Sequence, residues 1–464
     1  MERESRWRCC RHLTVEPSFL LVAYSLALFE APFQDLLLQR ICQQTSEVPF
    51  EWCEALPEHP TAEAVIHPRA ATLLMVGGLM ETVLPAMTSC LAGAWSDRAG
   101  SRKPLIVIPL TGYILKFALL AAIMSVPWVP VECFLIGYVP VAISGGFTTL
   151  FGAVTSVVAD EAPTDQKTFR LGMLQVVFIV GLLPGGLTSS ATLRALGHTG
   201  VFLLAGGACF LALVIALTNI SETYIAEDRN EGNNDSCLLK DIVQTIIKRR
   251  ESGRQILLIL SVSSLASSII AYNGESNLYY MYGRKEFKWT VFDFTLYRSV
   301  SYGLQMVGTF FAVYVMSRKM KMGDATLALV SYSGACAGSL VRAFASDTGM
   351  MYAGSVISLL HGAASPMMRS IMSKSVPQNE LGKIFTLTAS LEALVPLAAQ
   401  PLYTYLFNNT LQSFPGAFFI LSALMFFIDT ILSGIIYVVQ GWYSPPERQP
   451  LLPREDSAHE VPNT

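Results

Sequence analysis

Charged residues are scarce in this chain. Only 14% of its 464 residues are Asp, Glu, Lys or Arg, whereas 52% are hydrophobic. A soluble protein of this size needs a larger charged fraction to cover its surface, so the composition excludes a soluble fold and indicates an integral membrane protein in a lipid bilayer. The formal net charge is -3, and no basic face suggests nucleic acid as a partner.

The sequence also lacks the constellations that carry enzyme chemistry. Its nine cysteines are scattered without metal-ligand spacing. Neither a glycine-rich phosphate loop nor a set of nucleophile, base and orienting group is recognisable. We therefore expect no enzyme, no metal and no cofactor.

Long apolar runs fill most of the chain. A helix needs roughly 20 mostly apolar residues to cross the hydrocarbon core, and about twelve stretches meet that requirement. They lie near 15–38, 71–96, 104–127, 131–158, 169–190, 199–221, 255–283, 291–316, 324–344, 349–372, 383–407 and 413–440. The predicted fold is an all-α membrane protein with twelve transmembrane helices in two six-helix pseudo-repeats.

A hydrophilic segment separates the two halves. Residues 222–254 form the predicted linker between a six-helix lobe at 15–221 and a second at 255–440, with tails at 1–14 and 441–464. Lysine and arginine are concentrated in the tails, the linker and the loops on the same side. The positive-inside rule therefore predicts that both termini are cytosolic.

Residues 93–104, GAWSDRAGSRKP, place charge between the second and third apolar runs. Glycines there permit a tight turn and close helix approach, and a carboxylate at a helix end can pair with a cation on the other lobe. Gly93, Asp97, Gly100, Arg102 and Lys103 resemble the loop signature of the major facilitator superfamily, which implies a conformational latch. The alternative is ordinary membrane anchoring. Ser101 stands where that pattern usually has its first arginine.

A closer resemblance extends over nearly all of the transmembrane length. VEP (15–17), GAWSD (93–97), VADEAPTDQKTFR (158–170), PMMRSIMSK (366–374) and GKIF (382–385) resemble segments of the family of the proton-coupled folate transporter and the thymic stromal cotransporter. GGFTTLFGA (145–153) is more similar to the lysosomal branch. The resemblance implies secondary transport by alternating access between the two halves.

Ionisable side chains within predicted spans mark a pathway or a partner, because they are costly in lipid. They are Glu30, Asp35, Glu81, Lys116, Glu275, Arg298, His361, Arg369, Glu392 and Asp429. Spans one, four, seven and ten line the cavity in this superfamily, so the resemblance makes Glu30, Glu275, His361 and Arg369 candidates to bind substrate or protons. The alternatives are a snorkelling position for the glutamates, a hydrogen-bonded helix position for His361 and a cytosolic anchor for Arg369.

Two further features concern the same cavity. FEAPFQD (29–35) and YNGESN (272–277) interrupt spans one and seven at a similar depth, which favours a binding site at the repeat interface. Glu392 resembles an acid of the lysosomal branch. Tyr272 is a candidate to stack on a ring, although an interfacial aromatic belt explains the neighbouring tyrosines better.

The chain departs from the folate transporter at four polar positions. Gln175 replaces the proton-coupling glutamate of span five, and a glutamine side chain cannot carry a proton. Gly146, Tyr138 and Tyr272 replace an aspartate, an arginine and a histidine. Proton coupling, if present, must therefore use Glu275, Glu30, Glu392 or His361.

Three local signals concern processing and sorting. Cys42 and Cys53 share the long outward loop, where a local disulfide and free thiols are both open. Asn408 begins an outward glycosylation motif close to the bilayer. In the tail, ERQPLL (447–452) matches an acidic dileucine signal through Glu447, Leu451 and Leu452, which favours a clathrin adaptor as partner and an endosomal or lysosomal membrane over the plasma membrane.

The function favoured by these observations is secondary transport of an organic anion. The family implies folate-like pterins, muropeptides, cyclic dinucleotides or conjugated catabolites, moved with protons by alternating access. The alternative is a transport-inactive relative that acts as a sensor or scaffold, motivated by the four lost polar positions.

Overall fold

Helices dominate the structure, because a backbone in lipid must satisfy its own hydrogen bonds. The computed structural model describes residues 15–45, 48–53, 60–99, 101–126, 128–161, 167–220, 253–376, 388, 392 and 394–443. The helices are α1 (Glu16–Gln44), α2 (Pro60–Ala99), α3 (Pro104–Met124), α4 (Val139–Ser144), α5 (Gly146–Glu161), α6 (Lys167–Asn219), α7 (Arg254–Ser276), α8 (Tyr279–Phe287), α9 (Val291–Phe310), α10 (Asp324–Ala343), α11 (Thr348–Ile357), α12 (Ala364–Ser375), α13 (Pro396–Thr410) and α14 (Ala417–Tyr443). Short 3-10 turns (Phe50–Cys53, Val131–Tyr138, His361–Ala363) and a π-helical segment (Phe311–Lys319) complete them.

Eight of the described helical segments are long and apolar enough to cross a membrane. One of them, Val176–Asn219, has 44 residues, enough for two crossings of roughly 20 residues each. It lies in α6, which kinks at Gly197, where φ is 67°. The fold is thus an all-helical, multi-pass membrane fold, and the count of twelve spans and the cytosolic termini stay predictions.

The two sequence interruptions differ in the structure. Helix α1 runs unbroken through Pro32, because the neighbouring helices bury this part of the chain. The seventh predicted span does break, at Asn277 and Leu278 between α7 and α8. FEAPFQD therefore interrupts the apolar run but not the helix, whereas YNGESN coincides with the end of α7.

Glycines let α1 and α6 pack closely. A Cβ built on Gly181 would lie 2.5 Å from the Leu20 carbonyl oxygen, and one on Gly185 would lie 2.4 Å from the Tyr24 carbonyl oxygen. No larger residue fits at either place without moving the backbone. This pairing fixes α1, and with it Glu30 and Asp35, against the rest of the first half.

The two halves meet most extensively at one end of the molecule. We call this end the disulfide side, because Cys42 and Cys53 lie there, and the end with Lys103 the opposite side. On the disulfide side one cluster of buried apolar residues includes both halves, for example Phe33, Phe202, Tyr280 and Phe418. Among the described residues on the opposite side, each half has its own cluster. The conformation is therefore closed on the disulfide side.

Cys42 and Cys53 form a disulfide, with their Cα atoms 5.7 Å apart. The bond ties the 3-10 turn Phe50–Cys53 to the end of α1. Replacing both cysteines with serine should lower the free energy of unfolding by about 2–4 kcal/mol, because the unfolded chain regains the freedom of this loop.

Thermal unfolding of the purified protein measures this effect. Cys336→Ala, which removes a free cysteine, is the matched control and should leave the melting temperature nearly unchanged. Equal melting temperatures for the double serine variant and the wild type would contradict the prediction.

Candidate functional site

A cavity of about 100 Å³ lies within the second half of the chain. Its lining comes from α7 to α11, the turn at His361 and α14. The polar residues that line it are Tyr272, Glu275, Ser276, Tyr279, Tyr297, Arg298, Ser301, Tyr302, Gln305, Ser339, Arg342, Ser355, Ser358 and His361. This surface is far richer in hydroxyl and charged groups than the helices around it.

Glu275 and Arg342 face each other across the hydroxyl group of Tyr279. Tyr279 donates to Glu275 Oε2 at 2.8 Å and accepts from Arg342 Nη1 at 3.0 Å. The two charges are 4.0 Å apart. Glu275 Oε1 and Arg342 Nε are buried and complete no hydrogen bond. The two charges therefore neutralise each other, but the hydrogen-bonding capacity of both side chains is only partly used.

The sequence explains locally how this arrangement forms. The turn at Asn277 and Leu278 ends α7 just after Glu275 and begins α8 at Tyr279, which brings both side chains to one place. Gly354 makes room for Arg342, because a Cβ there would lie 2.7 Å from Arg342 Cγ. Arg342 also donates to the Gly354 carbonyl oxygen and to Ser358 Oγ, at 3.3 and 2.6 Å.

Arg298 forms the side of the cavity that faces the first half. Its Nη2 lies 3.5 Å from Glu30 Oε1 and donates to the Tyr302 hydroxyl at 2.7 Å. Its guanidinium lies 4.9 Å from the Tyr302 ring centre and 5.6 Å from that of Tyr279. A smaller cavity lined by Glu30 lies on the other side of Arg298. Arg298 thus connects the halves next to the polar cavity.

Two other predicted residues also line the cavity. The His361 ring packs edge-on against Phe426, with the ring centres 4.9 Å apart. Tyr272 is half exposed. The structure therefore brings Glu275, His361 and Tyr272 together and places Glu30 behind Arg298.

Arg369 and Glu392 form a separate ion pair. Arg369 also donates to Thr388 Oγ1 at 3.2 Å and to Ser365 Oγ at 3.4 Å. Neither Arg369 nor Glu392 lines the cavity described above. The expectation that Arg369 shares one cavity with Glu30, Glu275 and His361 is therefore corrected, because its partners hold it on the opposite side of the molecule.

A third charged cluster joins the halves on the disulfide side. Asp35 pairs with Arg284 and accepts from Tyr280 and Gln39 at 3.0 and 2.9 Å. His198 Nε2 lies 3.6 Å from Asp35 Oδ2, whereas Arg284 contacts Oδ1. Because Asp35 lies on α1 and Arg284 on α8, this pair holds the two halves together where the molecule is closed.

Several predicted sites lie outside the described residues. For Gly93, Asp97 and Gln175 the structure describes the helix but not the side chains, and Gly100 and the tail signal Glu447, Leu451 and Leu452 lie outside it altogether. Within the loop, Lys103 donates to the Leu217 carbonyl oxygen at 2.9 Å, a contact inside the first half. The latch and the sorting signal stay predictions, as do Arg102 and Lys103 as members of the latch.

Asn408 takes part in a contact between the halves. Its Nδ2 donates to the Pro68 carbonyl oxygen at 3.4 Å. Nδ2 is also the atom that would carry a glycan. In this conformation, helix packing occupies the place that glycosylation of Asn408 needs.

Sequence reasoning missed Arg342 and Arg284 and did not place Arg298 at the cavity. The usable signal was position: Arg284 and Arg342 lie near the ends of spans that the topology places outside, where arginine is disfavoured by the positive-inside rule. An arginine that violates the rule needs a partner within the protein. Here the partners are Asp35 and the group of Glu275 and Tyr279.

This architecture, two helical halves with a polar cavity in the second half, is that of a membrane transporter and not of an enzyme. The sequence model of the Major Facilitator Superfamily matches residues 56–400. The chain belongs to this superfamily. Within it, its relatives are members of the SLC46 family, in agreement with the resemblance found in the sequence.

Three relatives show the range of that family. The "Probable peptidoglycan muropeptide transporter SLC46" of Drosophila melanogaster is 27% identical, covering 91% of this chain and 85% of its own. The "Proton-coupled folate transporter" of Rattus norvegicus is 27% identical over 79% and 78%. The "Lysosomal proton-coupled steroid conjugate and bile acid symporter SLC46A3" of Gallus gallus is 24% identical over 89% and 91%.

Solved structures share the fold at low sequence identity. The human organic anion transporter MFSD10 (TETRAN) has a TM-score of 0.58 and 14% identity, covering 90% of this chain and 98% of its own. The POT family transporter PepTSo has a TM-score of 0.60 and 13% identity, covering 93% and 98%. The chain therefore has the fold of a multi-pass membrane transporter.

Proposed function

We propose that this transporter carries an organic anion, which binds at Arg298 and Arg342. The observation that carries the proposal is a pair of guanidinium groups at one polar cavity, with Arg342 buried and Arg298 partly buried. Each has a buried Nε that completes no hydrogen bond. A guanidinium stays charged and binds carboxylate or phosphate through two parallel hydrogen bonds. In the absence of substrate, Glu30 forms an ion pair with Arg298, and Glu275 forms one with Arg342.

The cavity favours an anion that also has a planar ring. The rings of Tyr279, Tyr297 and Tyr302 line the same surface as the two arginines. A bound ring can stack on such side chains. Folates, muropeptides and steroid conjugates are cargo of the relatives by their names; for this chain we propose the shared chemistry, a medium-sized organic anion.

The small volume of the cavity fits a conformation of the alternating-access cycle in which the site is not yet open to substrate. About 100 Å³ is below the roughly 300 Å³ at which ligand pockets begin. The cavity must widen before such a cargo enters. Because the halves share their apolar core on the disulfide side, widening would begin from the opposite side.

Protons would drive transport through Glu275. A buried carboxylate is costly unless it is paired, so Glu275 holds Arg342 until it takes up a proton. Protonation releases the guanidinium, which then binds the substrate anion. The names of two relatives include proton coupling. We further propose a lysosomal or endosomal membrane and recognition of the tail by a clathrin adaptor.

Uptake into proteoliposomes tests the proposed function. A panel of labelled anions, including a folate, a muropeptide and a bile acid conjugate, would be offered with acidic or neutral outer buffer. We expect uptake of at least one anion, faster from the acidic side, and its loss in Arg298→Gln.

Arg69→Gln is the matched control, because it removes the cation of an exposed ion pair with Glu132, outside the cavity, and should keep most of the uptake. If no anion moves under any gradient, the proposal fails and the scaffold alternative gains support. Wild-type uptake by Arg298→Gln would show that the anion binds elsewhere.

A further inference from the structure

A buried acid without a charged partner among the described residues lies outside the cavity. Asp429, on α14, has no exposed surface. Ser264 and Ser267 face its carboxylate from α7, and Tyr332 faces it from α10. None of these hydroxyl groups completes a hydrogen bond with either carboxylate oxygen. Asp429 is therefore surrounded by hydroxyl groups but does not form an ion pair with any described lysine or arginine.

The cost of desolvation restricts the state of Asp429. An ionised carboxylate without a partner loses several kcal/mol when it leaves water, and such a group takes up a neutralising cation instead. Polar side chains placed at this cost within a membrane mark function by default. The group must therefore bind a proton or another small cation for the fold to be stable.

The geometry favours a proton over a metal ion. Alkali cations in transporters are coordinated partly by carbonyl oxygens of unwound helices. Ser264, Tyr332 and Asp429 all lie inside continuous helices, whose carbonyl oxygens are used by the helices themselves. The surrounding hydroxyl groups can accept and donate hydrogen bonds, which suits a neutral carboxylic acid and exchange of its proton.

A row of hydroxyl groups lies between Asp429 and the cavity. Phe426, one helical turn before Asp429, lines the cavity and packs against His361. Ser268 and Tyr332 continue the row of hydroxyl groups from Ser264 toward the cavity. At 1.5 Å per residue, the seven residues from Ser422 to Asp429 span about 10 Å along α14, and Ser422 lies beside Glu275.

We propose that Asp429 is a second proton-binding site, about 10 Å further along α14 than Ser422, the residue beside Glu275. Its proton comes from the cavity through the hydroxyl groups of Ser268, Tyr332 and Ser264. Among the described residues, the titratable groups that face Asp429 are Tyr332 and, beyond Phe426, His361. This inference rests on the proposed proton-driven transport, but it can be tested without a known substrate.

Infrared difference spectroscopy of the purified protein at varied pH tests the site directly. We expect a protonated-carboxyl band that changes with pH in the wild type and is missing in Asp429→Asn. Ser264→Ala keeps the acid but removes a facing hydroxyl, so it should shift the frequency of the same band. A carboxyl that is ionised at every pH, or a band that never changes with pH, would overturn the proposal.

Transport separates a coupling role from a structural one. Losing one coupled proton should lower the accumulation ratio about tenfold per unit of pH gradient, because one pH unit corresponds to a factor of ten. Exchange of substrate at equal pH should persist in Asp429→Asn, since the neutral side chain mimics the protonated state. Ser433→Ala, one turn away, is the control and should accumulate substrate like the wild type.

Three outcomes would overturn the coupling role. If Asp429→Asn accumulated substrate as strongly as the wild type, Asp429 would have only a structural role. Accumulation driven by a sodium gradient, lost in that variant, would assign the site to an alkali cation. Loss of exchange together with accumulation would make Asp429 a folding residue. If no anion were transported, the proposed function would be contradicted. The infrared test of Asp429 protonation would remain valid.

Discussion

Arg342→Gln should weaken binding of the transported anion by about 30-fold or more. Truncating one member of a buried, hydrogen-bonded charge pair costs about 2–5 kcal/mol, which raises the dissociation constant by that factor. Arg342 is the residue concerned because it contacts Glu275 through Tyr279 and presents a buried Nε that completes no hydrogen bond. Binding of a labelled anion to purified protein measures the loss.

The single variant leaves Glu275 buried without a cation, which can also destabilise the protein. Glu275→Gln combined with Arg342→Gln removes both charges, so we expect it to recover stability but not anion binding. Arg369→Gln removes the partly exposed cation paired with Glu392, and shows whether loss of any ion-paired arginine has the same effect. Tight binding by the double variant would exclude Arg342 as the anion site.

Arg284→Gln should open the molecule toward the disulfide side. The variant leaves Asp35 without its cation at the contact between the halves, and an unpaired buried charge costs about 3–5 kcal/mol. A shift of that size changes the ratio of closed to open molecules by about 100-fold or more. A cysteine introduced at Ser301, which lines the cavity, reports the change through its rate of reaction with a thiol reagent added on the disulfide side.

A double-mutant cycle gives the strength of this contact. Asp35→Asn alone should open the molecule in the same way. The double variant with Arg284→Gln should change the free energy of opening by less than the sum of the two single changes. Lys116→Gln is unsuitable as a control, because Lys116 has its own pair with Glu81. Asp293→Asn, which changes an acid at the exposed start of α9, is the suitable control.

Equal labelling rates in all variants would show that other contacts close the disulfide side.

In the proposed mechanism, anion binding and closure depend on different ion pairs, although both pairs join distant parts of the chain. The Arg342 group lies within the second half, whereas the Asp35 pair and the contact of Arg298 with Glu30 cross between the halves. Substrate bound at Arg298 would compete with Glu30 for the same guanidinium. Binding can therefore loosen the contact between the halves, which is the coupling that alternating access requires.

The sequence predicted the members of these pairs better than the pairs themselves. Glu30, Glu275 and His361 were found because an ionisable group in an apolar run stands out within a few residues of its neighbours. Arg342 and Arg284 were missed because arginines near span ends have the same local pattern as membrane anchors. Arg369 was assigned to the cavity on resemblance, and only its contacts with Glu392 and Thr388 showed a separate position.

The amino-acid sequence by itself determined that this is a helical, multi-pass membrane protein of the Major Facilitator Superfamily, without the features of an enzyme. Those conclusions depend on composition, on the length of apolar runs and on short motifs, all of which are local. The tertiary structure decided which helix breaks, which charges neutralise one another and which side of the molecule is closed. Such facts depend on contacts between residues far apart in the chain, and hydropathy carries no information about those contacts.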